Sequence, residues 1–134
     1  MPTITIDKKD LMKLLGRTIP DEKLKDRISM LGTDLEKVTD KEIEVEIFPN
    51  RPDMLSTEGF SRALSSFIGI KKGLKEYKVN KSSYRSKKDS KVKNVRPFAI
   101  NAVVKNINLD DATIKSLMQV QEKLHASHGR NRKK

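Results

Sequence analysis

Three glutamates with regular spacing are the first residues in this sequence that could do chemistry. Glu42, Glu44 and Glu46 alternate with apolar residues, and carboxylates serve proteins as metal ligands and as general acids or bases. Alternate residues of one strand point in parallel directions, so these three carboxylates do not converge on one ion. The pattern favours the solvent-facing side of a half-buried sheet.

The two histidines are the second candidate pair. His125 and His128 lie three residues apart on a predicted helix, but no third ligand type is near them in sequence, which favours a surface or capping role. The chain has no cysteine, which excludes disulfides and thiolate metal sites. It has no glycine-rich phosphate loop and no visible nucleophile–base arrangement. We therefore predict no catalytic residue and no metal site in this chain.

A turn at residues 49–53, Pro-Asn-Arg-Pro-Asp, is the strongest local signal. Its two prolines exclude a helix and indicate an extended turn. Asn50 and Asp53 can bond backbone N–H groups nearby, and Arg51 can pair with Asp53. We interpret this turn as a structural joint between a strand and a helix. Contact of Arg51 and Arg62 with RNA is the alternative.

The elements that must position this turn follow from hydrophobic spacing. Strands are predicted at Thr3–Ile6 and Glu42–Phe48, and helices begin after Asp7, Pro20 and Ser56. Gly16, Gly32 and Gly69 end these helices. Their predicted core-facing residues are Leu11, Leu14 and Leu15, then Leu24, Ile28 and Leu31, and finally Phe60, Ala63, Leu64, Phe67 and Ile68.

Charge divides the chain into two parts. Residues 1–70 carry 11 basic and 13 acidic side chains, whereas residues 71–134 carry 18 basic and 5 acidic ones. The second part has the profile of a polyanion binder, although a solubilising linker and tail would look the same. Tyr77 and Tyr84 lie among cations and could stack bases or anchor a linker. The candidate phosphate contacts are Lys87, Lys88, Arg130, Arg132, Lys133 and Lys134.

Regular structure is predicted again after Pro97. Residues 98–105 alternate as a strand would, and Asp110 can cap a helix with an apolar face that includes Ile114 and Leu117. One strand and one helix cannot bury both apolar faces alone, so we expect these residues to begin a larger α/β domain. The predicted boundaries are 1–74, a basic linker over 75–96, and 97–134. The sequence has no run of about 18 apolar residues, which predicts a cytoplasmic protein without membrane contact.

The residues around the turn resemble a known family. The segment EVEIFPNRPDMLSTEGFSRAL is similar to the N-terminal region of the phenylalanyl-tRNA synthetase β subunit of archaeal and eukaryotic type. The opening MPTITIDKKDLMKLLG is similar to the start of archaeal and eukaryotic members. The stretches RPFAINAVVKNI and SLMQVQEKLHASHGRNRKK resemble the entry of the archaeal form into its editing domain. Ser61 stands where alanine is commoner. The positions that match the motif are Asn50, Arg51, Pro52, Asp53, Leu55, Ser56, Gly59 and Arg62.

The resemblance implies an α+β fold: a small three-helix, winged-helix-like module with short strands, then the start of an editing domain. It implies a packing and assembly role, an α subunit as partner in a heterotetramer of two α and two β chains, and tRNA. The editing pocket, which hydrolyses tRNA mischarged with tyrosine, and the α subunit's aminoacylation site lie outside this chain. ATP, magnesium and phenylalanine are thus implied for the whole enzyme and no cofactor for this chain. The alternatives are a stand-alone basic nucleic-acid-binding module of winged-helix-like fold and a purely structural interaction domain.

Overall fold

A computed structural model describes residues 2–133, which form an α+β fold. The described residues fall into two compact units, one up to Gly73 together with those from Leu109 onward, and one over Leu74–Asn108. Within residues 2–133, no helix combines the length and hydropathy that a bilayer crossing requires. The elements in chain order are β1 (Thr3–Asp7), α1 (Lys8–Leu15), α2 (Asp21–Met30), β2 (Asp34–Val38), β3 (Glu42–Glu46), a 3-10 turn (Pro52–Met54), α3 (Thr57–Phe67), a second 3-10 turn (Ser90–Val92) and α4 (Asp111–Ala126).

The strands form one antiparallel sheet in the order β1-β3-β2. Ile4 pairs with Val45 and Ile6 with Ile43, so the apolar residues of both strands lie on one face and are buried. Both strands predicted within the first 70 residues are confirmed. The prediction that the glutamates lie on the solvent-facing side of the sheet is also confirmed, since Glu42, Glu44 and Glu46 alternate with the buried residues on β3.

Strand β2 was missed by the sequence prediction. Its register with β3 shifts between Leu35 and Lys37, which marks an extra residue at Glu36. Leu35 and Val38 are therefore three residues apart in sequence although both are partly buried. A bulge breaks the period of two on which a strand prediction depends.

The three helices predicted for the first 70 residues are confirmed, with their ends. The Asp7 carboxylate accepts from the backbone N–H of Lys9 at 2.8 Å and of Asp10 at 3.0 Å, which caps α1. Gly16 ends α1 with φ at +74°, a conformation that favours glycine. The apolar core that these elements enclose consists of Ile4, Ile6, Leu11, Leu15, Ile19, Leu24, Ile28, Ile43, Val45, Ile47, Met54, Leu55, Phe60 and Leu64.

Two predicted core residues are wrong. Leu14 is 39% exposed and Phe67 is 42% exposed. The two helices concerned each bury a pair of residues that are four positions apart. The pair is Leu11 and Leu15 on α1, and Phe60 and Leu64 on α3. The periodicity identifies an apolar face, but how far that face is covered depends on the elements that pack against it.

Lys8 joins three parts of the module. Its Nζ donates to both carboxylate oxygens of Asp21 at 2.8 Å and to the backbone carbonyl of Thr39 at 3.1 Å. Its side chain is only 12% exposed. These bonds connect the start of α1 to the start of α2 and to the turn between β2 and β3.

The unit Leu74–Asn108 contains no strand and all of its residues are exposed. The strand predicted over residues 98–105 is therefore wrong for the described chain; Phe98 and Ile100 are almost completely exposed. An extended segment becomes a strand only when a neighbour accepts its backbone hydrogen bonds. The domain boundaries predicted at 74/75 and 96/97 stay predictions.

Helix α4 is confirmed with its cap. The Asp110 carboxylate accepts from the Thr113 backbone N–H at 2.8 Å. Hydrogen bonding to the Thr113 side chain, and then to its backbone N–H, lowers the pKa of Asp110. None of the described α4 side chains is buried, including Ile114 and Leu117. The helix ends at Ala126, so His128, which was predicted to share this helix with His125, lies beyond its end.

Candidate functional site

The turn before α3 differs from the extended conformation that was predicted. Pro52–Met54 forms a single 3-10 turn, and Pro52 is its first residue. Proline is tolerated there because its missing N–H would have no partner in the first turn. The Arg51 backbone N–H donates to Phe48 O at 2.9 Å, and Met54 N–H donates to Arg51 O at 3.1 Å. Proline at this place therefore starts a helical turn and does not exclude one.

Arg51 and Asp53 form the predicted ion pair. Arg51 Nε donates to Asp53 Oδ1 at 3.0 Å and Nη2 donates to Oδ2 at 2.8 Å, which is the two-pronged geometry that guanidinium groups favour with carboxylates. The bond from Arg51 holds the pKa of Asp53 below its ordinary value. The predicted side-chain bond of Asn50 is absent among residues 2–133, where Asn50 is exposed.

Ser56 begins α3 as predicted. Its Oγ accepts from the Gly59 backbone N–H at 3.0 Å, and its carbonyl accepts from Phe60 N–H at 2.9 Å. Met54 and Leu55, just before it, are buried in the core. The C-terminal end of the turn is thus fixed by apolar anchors and by a helix cap.

Gly59 is required by a close approach of two backbone segments. A Cβ placed on Gly59 would lie 1.9 Å from the carbonyl oxygen of Asp53 and 3.1 Å from its carbonyl carbon. The first turn of α3 therefore packs directly on the backbone of the 3-10 turn, with no room for a side chain. The sequence marked Gly59 only as part of a motif, because the contact joins residues whose proximity depends on the folded turn.

The described residues bring together no group of metal-ligating side chains. Within residues 2–133, no three His, Cys, Asp or Glu side chains are grouped so that they could hold a metal ion. Along β3, Glu44 instead lies 3.6 Å from Lys37 Nζ. The magnesium that the resemblance implies for the whole enzyme therefore has no clustered acidic ligands among residues 2–133.

The predicted phosphate contacts fall in different units. Lys87 and Lys88 are exposed within Leu74–Asn108, where Lys88 Nζ donates to the Pro97 carbonyl. Arg132 donates to Glu122 Oε1 at 2.6 Å, so its charge is partly compensated. Arg130 and Lys133 are exposed, and the predicted contact at Lys134 lies outside the described residues.

The two tyrosines each carry a cation over the ring. Lys75 Nζ lies 5.0 Å from the centroid of Tyr77, and Lys105 Nζ lies 4.8 Å from that of Tyr84. Both rings are more than half exposed. Such cation–π contacts at exposed sites are weak, about 0.5–1 kcal/mol, and a stacked base could replace them.

The comparisons agree with the motif around the turn. The model of the family described as the Phe-tRNA synthetase beta subunit B1 domain matches residues 1–70. The chain belongs to this family. That range contains the whole described core and the turn with its Gly59 contact.

Relatives of the chain are archaeal ligase subunits. The phenylalanine–tRNA ligase beta subunit of Archaeoglobus fulgidus is 45% identical over 134 residues, which are 100% of this chain and 24% of that protein. The beta subunit of Methanococcoides burtonii is 43% identical with the same coverage. This chain thus spans about a quarter of the length of the curated relatives it matches, and aligns with them as an N-terminal part of the ligase beta subunit, a protein of the aminoacyl-tRNA synthetase class.

A solved structure matches the fold. The crystal structure of an N-terminal fragment of the phenylalanyl-tRNA synthetase beta-subunit from Pyrococcus horikoshii is similar with a TM-score of 0.83 and 32% sequence identity. The match covers 98% of this chain and 39% of that chain.

Proposed function

We propose that this chain acts in protein synthesis as an assembly element of phenylalanine–tRNA ligase, packing the β subunit against its α partner. The single observation that carries this proposal is the close-packed joint of Gly59 on Asp53 within the module that matches the family. The motif residues there contact one another: Arg51 pairs with Asp53, Ser56 caps the helix, and Gly59 packs on the Asp53 backbone. A module in which the motif residues hold a helix on the preceding turn suits a scaffold.

The heterotetramer of two α and two β chains is part of this proposal. So is the winged-helix-like layout, which is supported by the sheet order β1-β3-β2 with helices packed on one face. Residues 97–134 are proposed to begin an editing-type domain. The proposed ligase reaction with ATP, magnesium and phenylalanine belongs to the whole enzyme. A cytoplasmic location is part of the same proposal.

We further propose that the basic second half contacts tRNA. Residues 71–134 carry a large excess of positive charge, and the described lysines and arginines of Leu74–Asn108 are exposed. The exposed rings of Tyr77 and Tyr84 add stacking surfaces. Contacts of this kind release counterions, so tRNA affinity should fall steeply with salt concentration.

A hybrid subunit tests the assembly role. The first 134 residues of the Archaeoglobus fulgidus β subunit are replaced by this chain and co-expressed with the α subunit of that organism. We expect the hybrid to co-purify with the α subunit and to charge tRNA, and a hybrid lacking residues 1–70 to do neither. Full assembly and charging without residues 1–70 would overturn the proposal.

A stand-alone nucleic-acid-binding module is the second candidate, and the charge excess of residues 71–134 favours it. The isolated chain would then bind tRNA tightly while the hybrid fails to assemble. Binding that does not respond to salt would contradict both candidates, since neither offers sequence-reading contacts.

A further inference from the structure

A small cationic cavity lies on the folded module, away from the residues considered above. It has a volume of about 190 Å³ and lies between the α1–α2 loop, α2 and the end of α3. Three of its lining side chains are basic, namely Arg17, Lys23 and Arg27, and none is acidic. The sequence did not reveal this group, because α2 also carries Asp21, Glu22 and Asp26 and has no net charge excess.

The local backbone explains why the three cations share one side. Gly16 ends α1 in the left-handed conformation, and Arg17 is the first residue of the loop that follows. Lys23 and Arg27 are four residues apart on α2 and therefore project from the same face. Each directly precedes a buried residue, Leu24 or Ile28, so the two cations flank the core.

The nearby carboxylates are occupied elsewhere or only weakly engaged. Asp21 accepts both of its 2.8 Å bonds from Lys8. Asp26 lies 3.4 Å from Arg27 Nε, which leaves the two terminal nitrogens of that guanidinium for another acceptor. Within residues 2–133, Arg17 and Lys23 have no carboxylate within ion-pair distance.

The rest of the cavity wall suits a phosphodiester and its sugar. Ile19 is almost completely buried and Ile68 is partly buried, so they give the cavity an apolar side. The Thr18 hydroxyl is a further hydrogen-bond donor at the rim. Cations beside low-dielectric walls attract an anion more strongly than cations on an open surface, and guanidinium groups bind phosphate oxygens in pairs.

We infer that Arg17, Lys23 and Arg27 form a binding site for one backbone phosphate of RNA. This inference rests on the proposed tRNA contact. It adds that three named residues of the folded module bind one phosphate. Such a site would fix the orientation of the RNA, whereas the exposed basic segment supplies only a general attraction.

The test compares two triple variants of the full chain that remove equal charge. The site variant is R17Q/K23Q/R27Q, and the control is K9Q/K25Q/K41Q, whose exposed lysines lie outside the cavity lining. Binding of tRNA is measured between 50 and 200 mM salt. We expect about tenfold weaker binding for the site variant at 100 mM salt, with less than about a twofold change in the control. The slope of log affinity against log salt should fall by about 0.7–0.9, the value for one phosphate.

A second measurement locates the contact. Inorganic pyrophosphate is titrated into the isotope-labelled chain, and amide shifts are expected at Thr18, Lys23 and Arg27. The single variants R17Q and K23Q, each expected to lose part of the affinity, replace the triple variant if that protein does not fold.

The outcomes separate this inference from the proposal it rests on. Equal weakening in the site and control variants, or pyrophosphate shifts confined to residues 71–96, would overturn the cavity as a site. Retained tRNA affinity in the site variant would also overturn the inference. Failure of the unaltered chain to bind tRNA would overturn the proposed tRNA contact itself.

Discussion

The α-carbon of Gly59 packs against the carbonyl oxygen of Asp53, and a Cβ at Gly59 would lie 1.9 Å from that oxygen. This contact brings the first turn of α3 onto the 3-10 turn that follows β3. Ser56 lies between the two residues and caps the same helix turn. The first turn of α3 is therefore held on the 3-10 turn by two contacts within residues 53–59.

The substitution Gly59→Ala should be the most damaging single-methyl change in the module. The new Cβ must push either α3 or the turn by about 1 Å, which we expect to cost about 2–4 kcal/mol of unfolding free energy. Urea unfolding measures this loss. The control Ser66→Ala lies on the exposed side of the same helix and should change stability by less than about 0.5 kcal/mol. Equal stability of the two variants would disprove the close approach.

The substitution Ser56→Ala should remove the cap of α3. The Gly59 N–H would lose its 3.0 Å acceptor, and loss of an N-cap costs about 1 kcal/mol. Ser56→Asp should retain most of the stability, because aspartate also accepts at this position. Thermal unfolding of the unaltered chain and of the two variants measures this effect. A Ser56→Asp protein as unstable as the Ser56→Ala protein would argue against a capping role.

The Arg51–Asp53 pair should contribute a pH-dependent stability. Because the folded-state pKa of Asp53 is lowered, its contribution is present above the unfolded value near 3.9 and is lost as pH falls through the folded pKa. Both side chains are more than a third exposed, so we expect less than about 1 kcal/mol at pH 7.

Titration of the Asp53 carboxyl carbon by NMR checks this assignment. Arg51→Gln should raise the Asp53 pKa toward its ordinary value, whereas the control Arg62→Gln should change it less, since Arg62 contributes least to the shift. An unchanged Asp53 titration in Arg51→Gln would refute the pairing.

The substitution Lys8→Met should loosen the junction between α1, α2 and the β2–β3 turn. It removes three hydrogen bonds from a largely shielded ammonium, with an expected loss of about 1–2 kcal/mol. The control Lys9→Met, at an exposed neighbouring position, should be close to neutral. Chemical denaturation compares the two, and a Lys8→Met protein as stable as the control would rule out this role for Lys8.

Deletion of residues 75–96 should leave the module folded. Every residue of the described core lies between Ile4 and Leu64, and the described side chains of the deleted segment are exposed. We expect a cooperative thermal transition within about 3 °C of the unaltered chain, followed by circular dichroism. Loss of the cooperative transition would show that the predicted boundary is wrong.

Sequence patterns predicted the helices well and the sheet only in part. The caps at Asp7, Ser56 and Asp110 were recognised because capping depends on residues three positions apart at most. Strand β2 was missed because its bulge hides the alternation. Residues 98–105 were mistaken for a strand because alternation describes a possible face and not the presence of a neighbouring strand.

The candidate site was located from sequence but explained only by the fold. The predicted pairing of Arg51 with Asp53 is confirmed, since the two residues are separated by one position. The role of Gly59 required the folded 3-10 turn, where Pro52 begins a helical turn instead of preventing one. Neither the motif nor any periodicity distinguishes a glycine needed for space from one needed for backbone conformation.

The sequence by itself determined the family, the helix ends, the alternating face of β3 and the uneven charge. Each of these depends on residue types that are close together along the chain. The tertiary structure decided which apolar residues are covered, which lysine is shielded, and which cations face a common cavity. Those properties depend on neighbours brought together by packing. The joint at Gly59 belongs to both, since the motif marks the residue and only the approach of the Asp53 carbonyl shows why it must be glycine.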